Sequence, residues 1–90
     1  MKMKERELER QLKALANRRR LAILKYLKEN TEAPVGELAG AIHLSFKSTS
    51  RHLAVLASAD IVEREQRSLQ MFYRIHPELY PITKQIISIV

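Results

Sequence analysis

The stretch His43–Asp60, HLSFKSTSRHLAVLASAD, decides the reading of this chain, because one short helix there has to pack into a core and also reach outward. Ser45 is a good N-cap, its hydroxyl placed to accept the backbone N–H of Lys47 or Ser48, so a helix is expected from Phe46 to about Ser58. Thr49, Leu53, Leu56 and Ala57 then fall on one side as a stripe that can bury. Phe46, Lys47, Ser50, Arg51 and Ala54 face away. Small hydroxyls and two cations without a carboxylate suit a surface that meets phosphates and base edges.

Working outward, VGELAGAI (35–42) reads as a second short helix with Val35, Leu38, Ala39 and Ile42 inward, joined to the first by about three residues. Two short helices with a tight turn make a helix-turn-helix. Downstream, IVERE (61–65), a turn, and MFYRIH (71–76) read as a β-hairpin, and a hairpin directly after the second helix defines a winged helix.

LKALANRRRLAILKYL, GELAGAIHLSFKSTSRHLAVL and IVEREQRSLQMFYRIHP, in that order and spacing, resemble the ArsR-type winged-helix transcriptional repressors over roughly residues 12–77. The resemblance implies a mainly α fold with a small β-hairpin (α+β), a winged helix-turn-helix whose N- and C-terminal helices form a dimer interface. It places Phe46, Lys47, Ser50 and Arg51 at groove-facing positions, although the family more often has Gln and Ser where Phe46 and Lys47 stand.

Ninety residues are expected to form one domain, with dimerisation segments at 1–16 and 78–90, the helix-turn-helix at 35–60 and the wing at 61–76. Sixteen basic against ten acidic residues give +6 and a pI near 10.0, which favours an anionic partner. The excess is concentrated at the start: residues 1–30 hold 10 basic and 4 acidic residues, whereas 43–74 hold 5 and 3. With no cysteine there is neither a disulfide nor a thiolate metal site. No apolar run approaches the roughly 20 residues that cross a bilayer, and MKMKERELER lacks a signal core, so a soluble cytoplasmic protein is expected.

At the start of the chain, Leu8, Leu12, Leu15 and Ala16 form a narrow helical stripe, which the resemblance assigns to the dimer interface. Asn17 is placed to cap a second helix with Leu21, Ile23, Leu24 and Leu27 as its apolar set. Arg18, Arg19 and Arg20 occupy that helix's first turn, where the dipole disfavours cations. Arg20 matches a family arginine expected to pair with an acidic side chain. Arg18 and Arg19 stand in place of the usual Pro-Thr and are candidates for contacting phosphate or flanking the interface, the alternative being two exposed arginines on a corner.

Residues 30–33 read as a loop, with Pro34 in the first turn of the next helix. Metal-sensing relatives carry paired cysteines here; this chain has Pro34 and Gly36. The second family site needs Asp, His and Glu on the last helix, and no His or Asp follows His76. His43, His52 and His76 show no ligand spacing, so neither a metal nor another cofactor is expected.

The candidate DNA-binding residues are Ser45, Phe46, Lys47, Ser48, Ser50, Arg51, His52, Arg64, Arg67, Arg18 and Arg19. Lys47 suits guanine O6 or N7, and Phe46 either touches a thymine methyl or folds back as a staple on its helix. His52 is expected to pack or hydrogen-bond beside the reading helix. In the wing, Ile61, Met71, Tyr73 and Ile75 read inward, and Arg64, Arg67, Gln70 and Arg74 outward. Arg67, in a tip spanning 66–68, is the first choice for a minor-groove contact, while Arg74 matches a family arginine of structural type. In PELYPITKQIISIV, a helix from about Pro81 to Ile89 puts Leu79, Ile82, Ile86 and Ile89 on one stripe, which joins Leu8, Leu12 and Leu15 as the expected dimer surface.

The reading is a homodimeric, sequence-specific regulator of double-stranded DNA, a repressor acting at an imperfect inverted repeat. Two rivals stand beside it: a sequence-independent architectural DNA- or RNA-binding protein, and a winged-helix protein-interaction module. No Gly-rich phosphate loop, Cys nucleophile or arranged Ser-His-Asp set points to an enzyme, and no catalytic residue is assigned.

Overall fold

A computed structural model describes residues 2–90. The elements run α1 (Glu5–Leu15), α2 (Arg18–Asn30), β1 (Glu32–Pro34), α3 (Val35–Ala41), α4 (Phe46–Ser58), β2 (Val62–Arg67), β3 (Gln70–Ile75) and α5 (Pro81–Ser88). This is the expected mainly helical winged helix-turn-helix, with one addition. Residues 32–34 form a third strand: a loop is expected for Glu32 and Ala33, and Pro34, expected in the first turn of α3, instead ends the strand at the N-cap position just before that helix. The antiparallel sheet has the order β1-β3-β2, with Glu32 opposite Arg74 and Pro34 opposite Phe72. Pro34 is tolerated because β1 is an edge strand, where a missing N–H breaks no ladder.

The core collects the apolar face of each element. Ile23, Leu24 and Leu27 of α2, Leu38 of α3, Leu53 and Leu56 of α4, and Ile61 and Val62 entering the wing are at most 2% exposed. Ala33 of β1 and Tyr73 of β3 close it from the sheet side. Strand alternation decides which wing residues join: Tyr73 points in, whereas Phe72 and Arg74 share the opposite face with Glu32, Glu63, Glu65 and Arg67.

Helices α3 and α4 end in the same way. After α3, the Leu44 N–H bonds Ala39 O and the His43 N–H bonds Gly40 O; after α4, the Ile61 N–H bonds Leu56 O and the Asp60 N–H bonds Ala57 O. Both are Schellman motifs, and their left-handed residues are His43 (φ 55°) and Asp60 (φ 57°) where Gly is usual. The first stops α3 in the turn that separates it from α4; the second turns the chain into β2. The wing turn is tighter than expected: the ladder extends to Arg67 opposite Gln70, so only Ser68 and Leu69 form the tip.

The terminal helices differ from the expected stripes. Leu15 is 4% exposed and belongs to the chain's own core, which removes it from the expected dimer surface. Gln11 and Ala14 complete the inner face of α1, and Thr83 and Ile87 that of α5. Leu8, Leu79 and Ile86 are half-buried, whereas Leu12, Ile82 and Ile89 are 45%, 37% and 78% exposed. The outward apolar surface is therefore narrower than the seven-residue set expected from spacing.

Candidate nucleic-acid interface

Helix α4 is held on its inner side at every turn. Ser45 Oγ accepts from the Ser48 N–H at 3.1 Å, as its cap position requires, and Thr49 Oγ1 donates to Ser45 O at 2.8 Å. Leu53 and Leu56 lock the middle into the core. At the C-terminal end two α1 side chains satisfy carbonyls that the helix leaves open: Arg10 donates to Ser58 O, and Gln11 Nε2 donates to Ala59 O at 2.8 Å. Gln11 Oε1 in turn accepts from Thr83 Oγ1 of α5 at 2.6 Å, so one buried amide joins α1, α4 and α5. A second link sits on the surface, where Tyr80 OH donates to Glu7.

Arg20 supplies the other brace. Its guanidinium donates to Ala14 O at 2.5 Å and Lys13 O at 3.0 Å, capping α1, and Nη1 lies 3.2 Å from His52 Nδ1. This replaces the acidic partner expected for Arg20. Guanidinium only donates, so Nδ1 must accept and the ring proton is on Nε2. Burial first, then the charges of Arg20 and Arg19, hold the His52 pKa below its ordinary value, so the ring is neutral at pH 7.

The outward side of α4 is different. Its side-chain hydrogen bonds are made by Thr49, His52 and Ser58, and Lys47, Ser50 and Arg51 make none to the described residues. Lys47 and Arg51 are exposed, and Ser48 and Ser50 half-buried. Phe46 is 61% exposed, which leaves most of its ring uncovered and tells against the staple. Arg18 and Arg19 line a cleft of about 580 Å³ with Lys25, Tyr26 and the end of α3. Arg19 Nη1 reaches Ile42 O at 3.4 Å, next to the turn that leads into α4. Asn17 Oδ1 accepts from the Arg19 and Arg20 N–H groups at 2.9 and 3.1 Å, which anchors this corner despite its charge.

The wing brings together fewer of the expected contacts. Arg67 is in the ladder rather than at the tip, and its guanidinium forms a fork on Glu32 at 2.6 and 2.8 Å, donates to Glu65 at 3.2 Å and lies over the Phe72 ring at 4.5 Å. The first choice for a groove contact is thus engaged inside the chain. Arg74 bonds Glu63 and Glu65 at 3.0 Å each, the structural role expected of it. Arg67 holds the carboxyl of Glu32 below the ordinary carboxylate range, and Arg67 with Arg74 does the same for Glu65. Arg64 stays exposed on the other face, and the tip itself presents Leu69, 98% exposed.

Sequence reasoning missed Gln11 and Glu32. Gln11 had a signal, a lone polar residue three positions after Leu8 and four before Leu15 on the buried side of α1. Glu32 had none, because its partner is 35 residues away.

Comparison with known proteins agrees with this arrangement. The family described as bacterial regulatory protein, arsR family, matches residues 17–64. The transcriptional activator HlyU of Vibrio cholerae is 44% identical over 62 residues, covering 69% of this chain and 56% of that protein. The arsenic resistance transcriptional regulator ArsR1 of Pseudomonas putida is 36% identical over 67 residues, covering 74% and 52%. The chain thus spans little more than half the length of either. Among solved structures, HlyU from Vibrio cholerae superposes with a TM-score of 0.82 at 34% identity, over 99% of this chain and 92% of that one. A homodimeric winged helix-turn-helix DNA-binding domain from Mycobacterium bovis, described as a possible ArsR-family regulator, superposes at 0.80 with 30% identity, over 93% and 74%. With an unbroken helix-turn-helix, a wing and this match across more than half its length, the chain belongs to the arsR family of bacterial regulatory proteins.

Proposed function

We propose that the chain is a dimeric transcriptional regulator, of the repressor type, that binds duplex DNA by laying the outward side of α4 in the major groove. The observation that carries this is the surface of Lys47, Ser50 and Arg51, exposed to half-exposed and without partners among the described residues, on a helix whose other side is held by core and hydrogen bonds. Lys47 and Arg51 supply donors for guanine edges or phosphates, the hydroxyls of Ser45, Ser48 and Ser50 donate to phosphate, and Phe46 offers an apolar contact to a thymine methyl. Arg18 and Arg19, at the corner beside Ile42, add phosphate contacts. Arg64 is a wing cation without an ion pair among the described residues, while His52 acts from behind the helix.

Leu12, Ile82 and Ile89, with the half-buried Leu8, Leu79 and Ile86, form the surface on which a second copy sits. A two-fold pair would set the two α4 helices about 34 Å apart, facing successive major grooves of an imperfect inverted repeat. Occupancy of that repeat would exclude polymerase, and the protein would work in the cytoplasm. No helix among the described residues is long and apolar enough to cross a membrane, which fits that placement.

Selection from random duplex DNA, followed by gel-shift titration of winners and scrambled controls at two salt concentrations, tests the reading. The expected winners are inverted repeats bound at least a hundredfold tighter than scrambled duplex. Equal affinity for both would leave the architectural reading in its place, and no salt-dependent binding would leave the interaction module. Sedimentation of the free chain should give a dimer.

A further inference from the structure

The tip of the wing projects past the end of β1. That edge strand pairs only with Phe72, Tyr73 and Arg74, so from Met71 through the turn the hairpin is a two-stranded ribbon without a third neighbour. Such a ribbon has little stiffness of its own. Met71 packs against the core at the base of this ribbon, and beyond it the Arg67 side chain ties the ribbon back to β1. Arg67 stands on β2 at the level of Gln70, Glu32 stands on β1 at the level of Arg74, and β3 lies between them. The Arg67 side chain therefore runs diagonally across β3, over the ring of Phe72, to make its fork on Glu32.

We propose that this fork is a clamp that sets the direction of the wing tip, and that Arg67 is a positioning residue for the wing and not a phosphate contact. The inference rests on the DNA-binding reading above. Three observations carry it. The guanidinium has both ends of its fork filled by one carboxylate, a third bond to Glu65 and an aromatic ring against its plane, so a phosphate would have to displace all of them. The face on which it lies holds Glu32, Glu63 and Glu65 against Arg67 and Arg74, an excess of carboxylate that repels a polyanion. The residues beyond the clamp are Ser68 and Leu69, and with Leu69 almost wholly exposed the tip is a small apolar end whose use depends on where it is aimed.

The two roles predict opposite signs for one substitution. Removing the charge of Glu32 frees a direct-contact arginine and should tighten binding, whereas it releases a clamp and should weaken it. Duplex titrations at several salt concentrations with Glu32→Gln, Arg67→Gln, Arg67→Lys and the swapped pair Glu32→Arg/Arg67→Glu distinguish them. Each single variant is expected to bind about fivefold more weakly at an unchanged salt slope, the scale set by a surface ion pair, and the swapped pair to recover most of the loss. Arg67→Lys fails with the others because an ammonium keeps the charge but not the fork. Amide exchange in the DNA-free variants should quicken at residues 66–70 while the melting temperature holds. Tighter binding by Glu32→Gln, with a slope flattened by about 0.9 in Arg67→Gln, would overturn the clamp. If the wild-type chain binds no duplex selectively, the DNA-binding reading fails separately; faster wing exchange in the three single variants then supports the clamp and unchanged exchange overturns it.

Discussion

The outward side of α4 and the outward face of the sheet carry the same number of cations and use them in opposite ways. On α4, Lys47 and Arg51 form no ion pair among the described residues, and the helix itself contains no Asp or Glu from Phe46 to Ser58. On the sheet, Arg67 and Arg74 are bound by Glu32, Glu63 and Glu65, which cross-strand pairing brings onto the same face. A count of basic residues cannot separate the two surfaces. What separates them is whether each charge already has a carboxylate partner: among the described residues Arg67 and Arg74 have one, and Lys47 and Arg51 do not.

The contrast can be broken most directly at Arg51. Arg51→Ala should lower affinity for a selected duplex about 10- to 100-fold, whereas Arg74→Gln should leave the salt slope of binding unchanged. Fluorescence anisotropy over a salt series checks both. If the two changes cost the same affinity and slope, pairing within the chain does not decide which cations meet DNA.

The support behind α4 should show in stability before it shows in binding. Gln11→Leu strands the Thr83 hydroxyl and the Ala59 carbonyl in a buried site and is expected to cost about 2 kcal/mol in urea unfolding. At the corner beside α4, Arg18→Ala/Arg19→Ala should flatten the slope of log K against log salt by about 1.8 units if both reach phosphate. An unchanged slope would return them to the role of exposed corner residues. Smaller still, His43→Gly relieves a left-handed backbone in the turn before α4 and should raise stability by up to about 1 kcal/mol, read as a higher urea midpoint.

How much of this was readable from the sequence follows the range of the forces involved. Helix α4 occupies the range expected for it, Phe46 to about Ser58, since its cap and its stripe are local, and the winged helix-turn-helix followed from order and spacing. Leu15 was misassigned because a stripe of leucines says that a helix face is buried without saying by what; the chain's own core took Leu15 and left Leu12 outside. β1 was missed because three residues have no period, and its pairing with β3 is a contact across some forty positions. The same long-range pairing brought Glu32 to Arg67, and with it changed the expected part of that arginine.

His52 sits where the two halves of the comparison meet, on α4 but turned inward, and its titration offers the finest test. The ring accepts a hydrogen bond from Arg20 only while Nδ1 is bare, and a proton there would set two cations 3.2 Å apart. Its folded pKa is therefore held below the ordinary value of 6.5, by burial first and by Arg20 and Arg19 after it. Below that value the unfolded chain takes up a proton that the folded chain resists, so the stability drawn from neutral His52 is complete above pH 6.5 and is lost as pH falls toward the folded pKa. Urea midpoints measured from pH 7.5 to 5 should decline more for the wild type than for His52→Gln, whose amide can accept from Arg20 but cannot titrate. Parallel curves would mean that the ring is not held neutral against Arg20, and the brace between α2 and α4 would have to be drawn from packing alone.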